Sequence, residues 1–341
     1  MNDPFVLSTD KRRAARPAAE REGDALLTRR TSLRFLIGLA VGVLGSLLAF
    51  YLSLFMLLKT DNLPPPAFAN SLCIDDKLRF MRENPSVSPD LLIIGSSVAW
   101  QHVDGAVVAK VSGGLKPLNA GFCGLHANQS VYVANWLLDQ HPSIRQVVLI
   151  TAPQDFGRCR KEPDAVFDRE DASDFVYGGA SRWPYYIHYL SPTSLLRNAR
   201  GIKDKRSNAN EFDPLVFTQF GDGPLNTIGF RGLLYGVPDP LDASCFASLH
   251  SLATRLHQDK RKLMVVTTPI HPEWKSRYDP DGRLLADFAS GLRTAVAPAG
   301  GKLWNASVEW NPDPKAFTDA IHLRWTAARA FSAALGQRLA S

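Results

Sequence analysis

Phe35 to Leu58, FLIGLAVGVLGSLLAFYLSLFMLL, runs for 24 residues between Arg34 and Lys59 without a charge. As a helix it reaches about 36 Å, enough to cross a bilayer with some tilt. A buried core helix would need a polar stripe, which this segment lacks. A cleaved secretory signal is the rival reading, since AFAN at 67–70 offers small residues at an A-x-A spacing. The apolar run, however, far exceeds the roughly 7 to 15 residues of a signal core, and 34 residues precede it. The expectation is therefore an uncleaved transmembrane helix over 35–58.

The flanks orient it. Residues 1–34 hold eight basic side chains (Lys11, Arg12, Arg13, Arg16, Arg21, Arg29, Arg30 and Arg34), whereas Lys59 to Leu72 hold only Lys59. The positive-inside bias leaves the tail 1–34 in the cytoplasm and carries the rest across the membrane. With five acidic residues the tail takes +3 of the chain's +6, so the other 307 residues share only +3. A nucleic-acid footprint needs a clustered basic face, and none is legible.

Four cysteines, Cys73, Cys123, Cys159 and Cys245, then lie in an oxidising space. Two disulfides at most are possible, in three connectivities that the sequence leaves open, with free buried thiols as the alternative. No pair has C-x-x-C spacing, and neither a metal nor a cofactor is expected.

Residues 59–70 form a proline-rich tether. From residue 71 short apolar runs alternate with amphipathic stretches. Strands are expected at 90–95, 116–121, 145–151, 262–268 and 302–307, and helices at 126–140, 241–258, 282–296 and 325–338. This pattern predicts an α/β domain, a flavodoxin-like three-layer sandwich around a parallel sheet covered on both faces. Residues 156–240, rich in Gly, Pro, Asp and aromatics, show no sustained period and read as an insertion over one end of the sheet.

The first expected strand ends in Gly95-Ser96-Ser97, where ligands bind in doubly wound sheets. Either serine can be a mere helix cap. Near the other end, Asp319 and His322 precede the last helix. A serine needs a base, and the base needs a carboxylate to fix its tautomer, which Asp-x-x-His supplies from one loop. A packed core histidine is the plainer alternative.

IIGSSVA, then NAGFCG, a strand ending in ITAPQD, and finally DAIHL resemble, in that order, the SGNH or GDSL hydrolase superfamily. The resemblance spans about 90–339, interrupted by the insertion. It implies Ser97 as nucleophile, Asp319 and His322 as acid and base, and the N–H groups of Ser97 and Gly124 as oxyanion donors. The family's oxyanion asparagine has no clean match, and Gln154 stands in its place. Gly-Ser-Ser in place of Gly-Asp-Ser, together with an anchor, is similar to membrane-tethered members that O-acylate envelope or exported polysaccharide. The resemblance thereby implies a polysaccharide substrate, a Ser97 acyl-enzyme, and as partner a multi-pass membrane O-acyltransferase supplying the acyl group. A general carboxylesterase or lipase and a non-catalytic glycan-binding relative are the other readings.

All seven tryptophans fall after the anchor. Most are expected in the core. Trp183 and Trp274, among loop-like residues, are the expected sugar contacts, and His271, at the end of the fourth strand, is expected either to line the pocket or to belong to a structural loop. His102 is expected on a helix surface, with a supporting place behind the site as the alternative.

Overall fold

The computed structural model describes residues 18–85 and 88–340. Of the basic tail, Lys11, Arg12, Arg13 and Arg16 lie outside the described residues. The chain divides into two units, residues 1–60 and 61–341. In the first, α1 (Ala18–Lys59) is continuous, and its stretch Arg30–Lys59 is long and apolar enough to cross a membrane. Within it Ser46 and Ser53 turn their hydroxyls onto the carbonyls of Gly42 and Ala49, so neither needs a water partner.

The second unit begins with α2 (Leu72–Glu83), β1 (Leu91–Gly95), α3 (Ser97–His102), α4 (Gly105–Val111), β2 (Pro117–Asn119), α5 (Ala127–Gln140) and β3 (Gln146–Thr151). Four short helices follow: α6 (Arg169–Val176), α7 (Trp183–His188), α8 (Pro192–Ala199) and α9 (Ile202–Ser207). The chain then returns to regular alternation with α10 (Ala243–Gln258), β4 (Lys262–Thr267), α11 (Pro272–Tyr278), α12 (Arg283–Val296), β5 (Lys302–Trp304), α13 (Ala306–Glu309) and α14 (Trp325–Ala340).

The five strands are all parallel, in the order β2-β1-β3-β4-β5. Successive strand residues face opposite ways. Leu92, Ile94, Val147, Leu149 and Val265 therefore join one core cluster with side chains of α5, α10 and α12. Leu91, Ile93, Val148, Ile150 and Val266 join the other with side chains of α3, α4 and α14. This is the expected three-layer α/β architecture, and it explains why the strands read as unbroken apolar runs. The order reverses between β1 and β3, which places their carboxyl ends at the switch point where such sheets bind ligands.

Gly95 is required there. Its φ is +136°, and a Cβ would lie 2.1 Å from the carbonyl oxygen of Ile150 on β3. The close approach lets β1 end abruptly beside its neighbour and turn straight into α3.

The aperiodic stretch is tied to the domain by apolar side chains such as Phe156, Phe167 and Phe175, which join the core, and by polar contacts. Gly223 N–H donates to the Trp100 carbonyl at 2.9 Å, Asn119 N–H to Phe220 O at 2.9 Å, and Trp325 N–H to Leu225 O at 2.8 Å. Buried Asp222 accepts from Gly105 N–H, Asn119 Nδ2 and Thr218 Oγ1, and the buried ammonium of Lys77 donates to Gly221 O. Burying these groups is tolerable only because each is satisfied. Of the three possible disulfide connectivities the fold realises Cys73–Cys123 and Cys159–Cys245.

Candidate active site

Ser96 and Ser97 leave β1 with different duties. Ser96 occupies the N-cap position of α3 but does not cap it; its hydroxyl donates to Asp155 Oδ2 at 3.0 Å. Asp155, on the turn after β3, also accepts from Thr151 Oγ1 and Ala152 N–H, both at 2.9 Å. Burial pushes this carboxyl up to about 6, against those hydrogen bonds and the nearby His322. Asp155 thus joins the ends of the two central strands, and Ser97, the first residue of α3, is held beside them.

Ser97 is half-buried, and its Oγ lies 2.8 Å from His322 Nε2. On the far side of the ring, Nδ1 lies 2.9 and 3.0 Å from the two oxygens of Asp319. The carboxylate fixes the proton on Nδ1, which leaves Nε2 to accept from the serine. Oδ1 of Asp319 accepts from the backbone N–H of Ile321 and of His322 at 3.0 and 2.8 Å. Burial alone would raise Asp319. The charge of His322, its hydrogen bond and the two N–H donors outweigh that and hold the carboxyl at about 2. The structure thus brings Ser97, His322 and Asp319 into one chain of hydrogen bonds, and neither the helix-cap nor the core-histidine alternative describes them.

Two residues that the sequence did not single out, or misplaced, complete the arrangement. Tyr235, from the aperiodic stretch, donates its phenol to Asp319 Oδ2 at 3.0 Å. Burial, and then the Asp319 charge, push that phenol above its ordinary range, so it remains a donor. It reaches this position with a φ of +60°, a left-handed backbone that costs a tyrosine about 1 to 3 kcal/mol and is held by its surroundings. Those surroundings are hydrogen bonds from Arg231 N–H to Thr318 O, Ala320 N–H to Leu233 O and Trp274 Nε1 to Gly236 O. His102 is not on a helix surface: it is fully buried. Its Nε2 accepts from Leu323 N–H and its Nδ1 faces Thr268 Oγ1, both at 3.0 Å. Burial and then His322 drive it well below an ordinary histidine, so it stays neutral. Five residues on from Ser97 is about 140° around a helix, so a serine facing a pocket sends His102 inward, and that periodicity was the available signal.

The remaining candidates divide. Gly124 has φ +70° on an exposed turn directly after Cys123, which lines the cavity next to Ser97. The amide of Gln154 is buried without a hydrogen-bond partner, but Gln154 is not on the cavity wall. Trp274 is wholly buried in the core cluster under α11, so it is no sugar contact. His271 is not on the cavity wall either. It caps α11, with Nδ1 accepting from Glu273 N–H at 3.2 Å, and stacks on Phe230. Trp183 is half-buried on α7 with its ring against Tyr186, away from the cavity.

The cavity holds about 370 Å³, with Ser97, His322, Tyr235, Trp100 and the Cys73–Cys123 disulfide on its walls. No family model matches the chain, and no curated protein matches it. Among solved structures, one similar chain is described as "a putative arylesterase from Agrobacterium tumefaciens str. C58". It is 14% identical, over 74% of this chain and 98% of that one, with a TM-score of 0.36, a likeness too remote to assign an activity.

Proposed function

We propose that the second unit is a serine acyltransferase or acylesterase of the SGNH kind, held by α1 at the outer face of a bacterial inner membrane and acting on an envelope or exported polysaccharide. The observation that carries the reading is the line Ser97 Oγ, His322 Nε2, His322 Nδ1, Asp319 Oδ2, with contacts of 2.8 and 2.9 Å at the wall of a sugar-sized cavity.

In the first half-reaction His322 Nε2 takes the proton as Ser97 Oγ attacks an acyl carbonyl. The N–H groups of Ser97 and Gly124 hold the oxyanion, and the bond to the leaving group breaks as that group receives the proton. In the second, a sugar hydroxyl or water attacks the Ser97 ester, gives its proton to His322, and Oγ leaves with that proton. A multi-pass membrane O-acyltransferase would supply acyl groups to such an enzyme.

The test uses the full chain in detergent, with a fluorophosphonate and p-nitrophenyl acetate, and peptide mass spectrometry to locate the adduct. Adduct at Ser97 with release of p-nitrophenol is expected, and Ser97→Ala should abolish both. His322→Ala should slow both by at least about 10³-fold. An unlabelled Ser97 and no release in the wild type would overturn the enzymatic reading in favour of a non-catalytic binding protein.

A further inference from the structure

The wall of the cavity that Ser97 lines bears on what the enzyme acylates. It carries two cations, Lys205 and Arg231. Some arginines elsewhere in the domain meet carboxylates, as Arg206 does Asp76, Arg255 Asp139 and Arg329 Asp104, while Arg82 and Arg169 meet backbone oxygens. Among the described residues, neither Lys205 nor Arg231 forms an ion pair. Lys205 Nζ donates to the backbone oxygen of Asp213 at 3.1 Å. Arg231 Nη2 donates to Glu211 O at 3.3 Å and to Thr227 Oγ1 at 2.7 Å. These neutral acceptors fix both side chains in place, with no carboxylate in ion-pair contact with either.

Two further features of Arg231, both shared by Arg169 away from the cavity, bear on ligand binding here because Arg231 lies on the cavity wall. Arg231 Nε is buried and has no hydrogen-bond partner, a costly state for a guanidinium donor. The same guanidinium lies 4.8 Å over the ring of Phe212, which is 59% exposed at the cavity. A fixed guanidinium on an open aromatic ring offers planar donors for an oxyanion and an apolar plate for a sugar face. Two carboxylates also line the cavity. Asp319 is engaged by His322 and Tyr235, which leaves the exposed Asp213 as the group opposing an anion.

We propose that Arg231 and Lys205 form an anion subsite, and that the saccharide exchanging its acyl group with Ser97 carries a carboxylate or phosphate. The inference rests on the Ser97 acyl-enzyme reading. In the transfer step the hydroxyl oxygen bonds to the acyl carbon, the bond from that carbon to Ser97 Oγ breaks, and the proton passes through His322 Nε2 to Oγ. The acidic group on Arg231 and Lys205 fixes which hydroxyl is presented.

The full chain in detergent is supplied with p-nitrophenyl acetate and one of three oligosaccharides of equal length: neutral hexose, hexuronic acid, and hexose phosphate. Acetylated sugar is measured by mass spectrometry. The expected result is a wild-type ratio of acidic to neutral transfer of at least about tenfold, as loss of a charge-assisted contact predicts. That ratio, taken within each variant so that overall activity cancels, should fall about tenfold in Arg231→Gln and in Lys205→Gln and rise in Asp213→Asn. The better of the two acidic arms identifies carboxylate or phosphate as the source. Equal use of neutral and acidic sugars by the wild type, or an unchanged ratio in both Arg231→Gln and Lys205→Gln, would overturn the subsite. If the wild type neither releases p-nitrophenol nor forms a Ser97 ester, the catalytic reading has failed by itself, and calorimetry decides the subsite: acidic sugars that bind the wild type but not Lys205→Gln support it, and no binding overturns it.

Discussion

Under the proposed mechanism, the hydrogen bond from Tyr235 to Asp319 tunes the proton transfer to His322. The phenol takes part of the carboxylate's charge, which leaves less of it for a positive His322. In Tyr235→Phe that share returns, the imidazolium is better stabilised, and the acidic limb of kcat/KM for p-nitrophenyl acetate should move to higher pH by up to about one unit. A pH profile checks this, since a packing defect would lower the plateau and leave the limb in place. Asp319 itself has a depressed folded value of about 2. Its contribution to stability is therefore complete above its unfolded value near 3.8 and is lost as pH falls toward 2, about 2 kcal/mol in all. Urea unfolding at pH 4 and pH 2 should show the wild type losing that much relative to Asp319→Asn. Ser97, Asp319 and His322 were legible in the sequence because each sits in a short block whose local geometry is set by the next strand or helix. Tyr235, Arg231 and Lys205 were not, because they reach the site from a stretch without period. Trp274 misled for a related reason: a loop-like context says nothing of burial, and its indole is enclosed by the segment whose Gly236 carbonyl it meets.

At the scale of elements, the five strands and four main helices were legible to within a few residues, since a sheet covered on both faces demands continuous apolar runs. The short α2, α4, α11 and α13 were missed; helices of four to twelve residues give little periodicity, and their positions are fixed by tertiary contacts. The junction of β1 and α3 is the least tolerant place in this framework. Gly95→Ala would drive a methyl group into the Ile150 carbonyl and force a strained φ, so a loss of at least about 2 kcal/mol is expected in chemical denaturation. Asp155→Asn should act differently. It keeps the size of the side chain but replaces one oxygen acceptor of the Ser96, Thr151 and Ala152 hydrogen bonds, so fluorophosphonate labelling of Ser97 should slow more than the unfolding midpoint moves.

For the whole molecule, α1 and the charge asymmetry around it define a topology that can be checked directly. If the second unit lies outside the cytoplasm, protease added to intact spheroplasts should digest residues 71–341 and spare the basic tail, and permeabilisation should expose both. The pairing of Cys73 with Cys123 belongs to the same picture. One cysteine is on α2, just beyond the tether, and the other immediately precedes Gly124 on the cavity wall, 50 residues later. A crosslink over that span stabilises a fold by roughly 3 to 4 kcal/mol, but its position matters more than its strength. Under the proposed function, the loop bearing Gly124 is fastened to α2 only once the chain has reached an oxidising compartment, and the bond is in effect an export licence for the site.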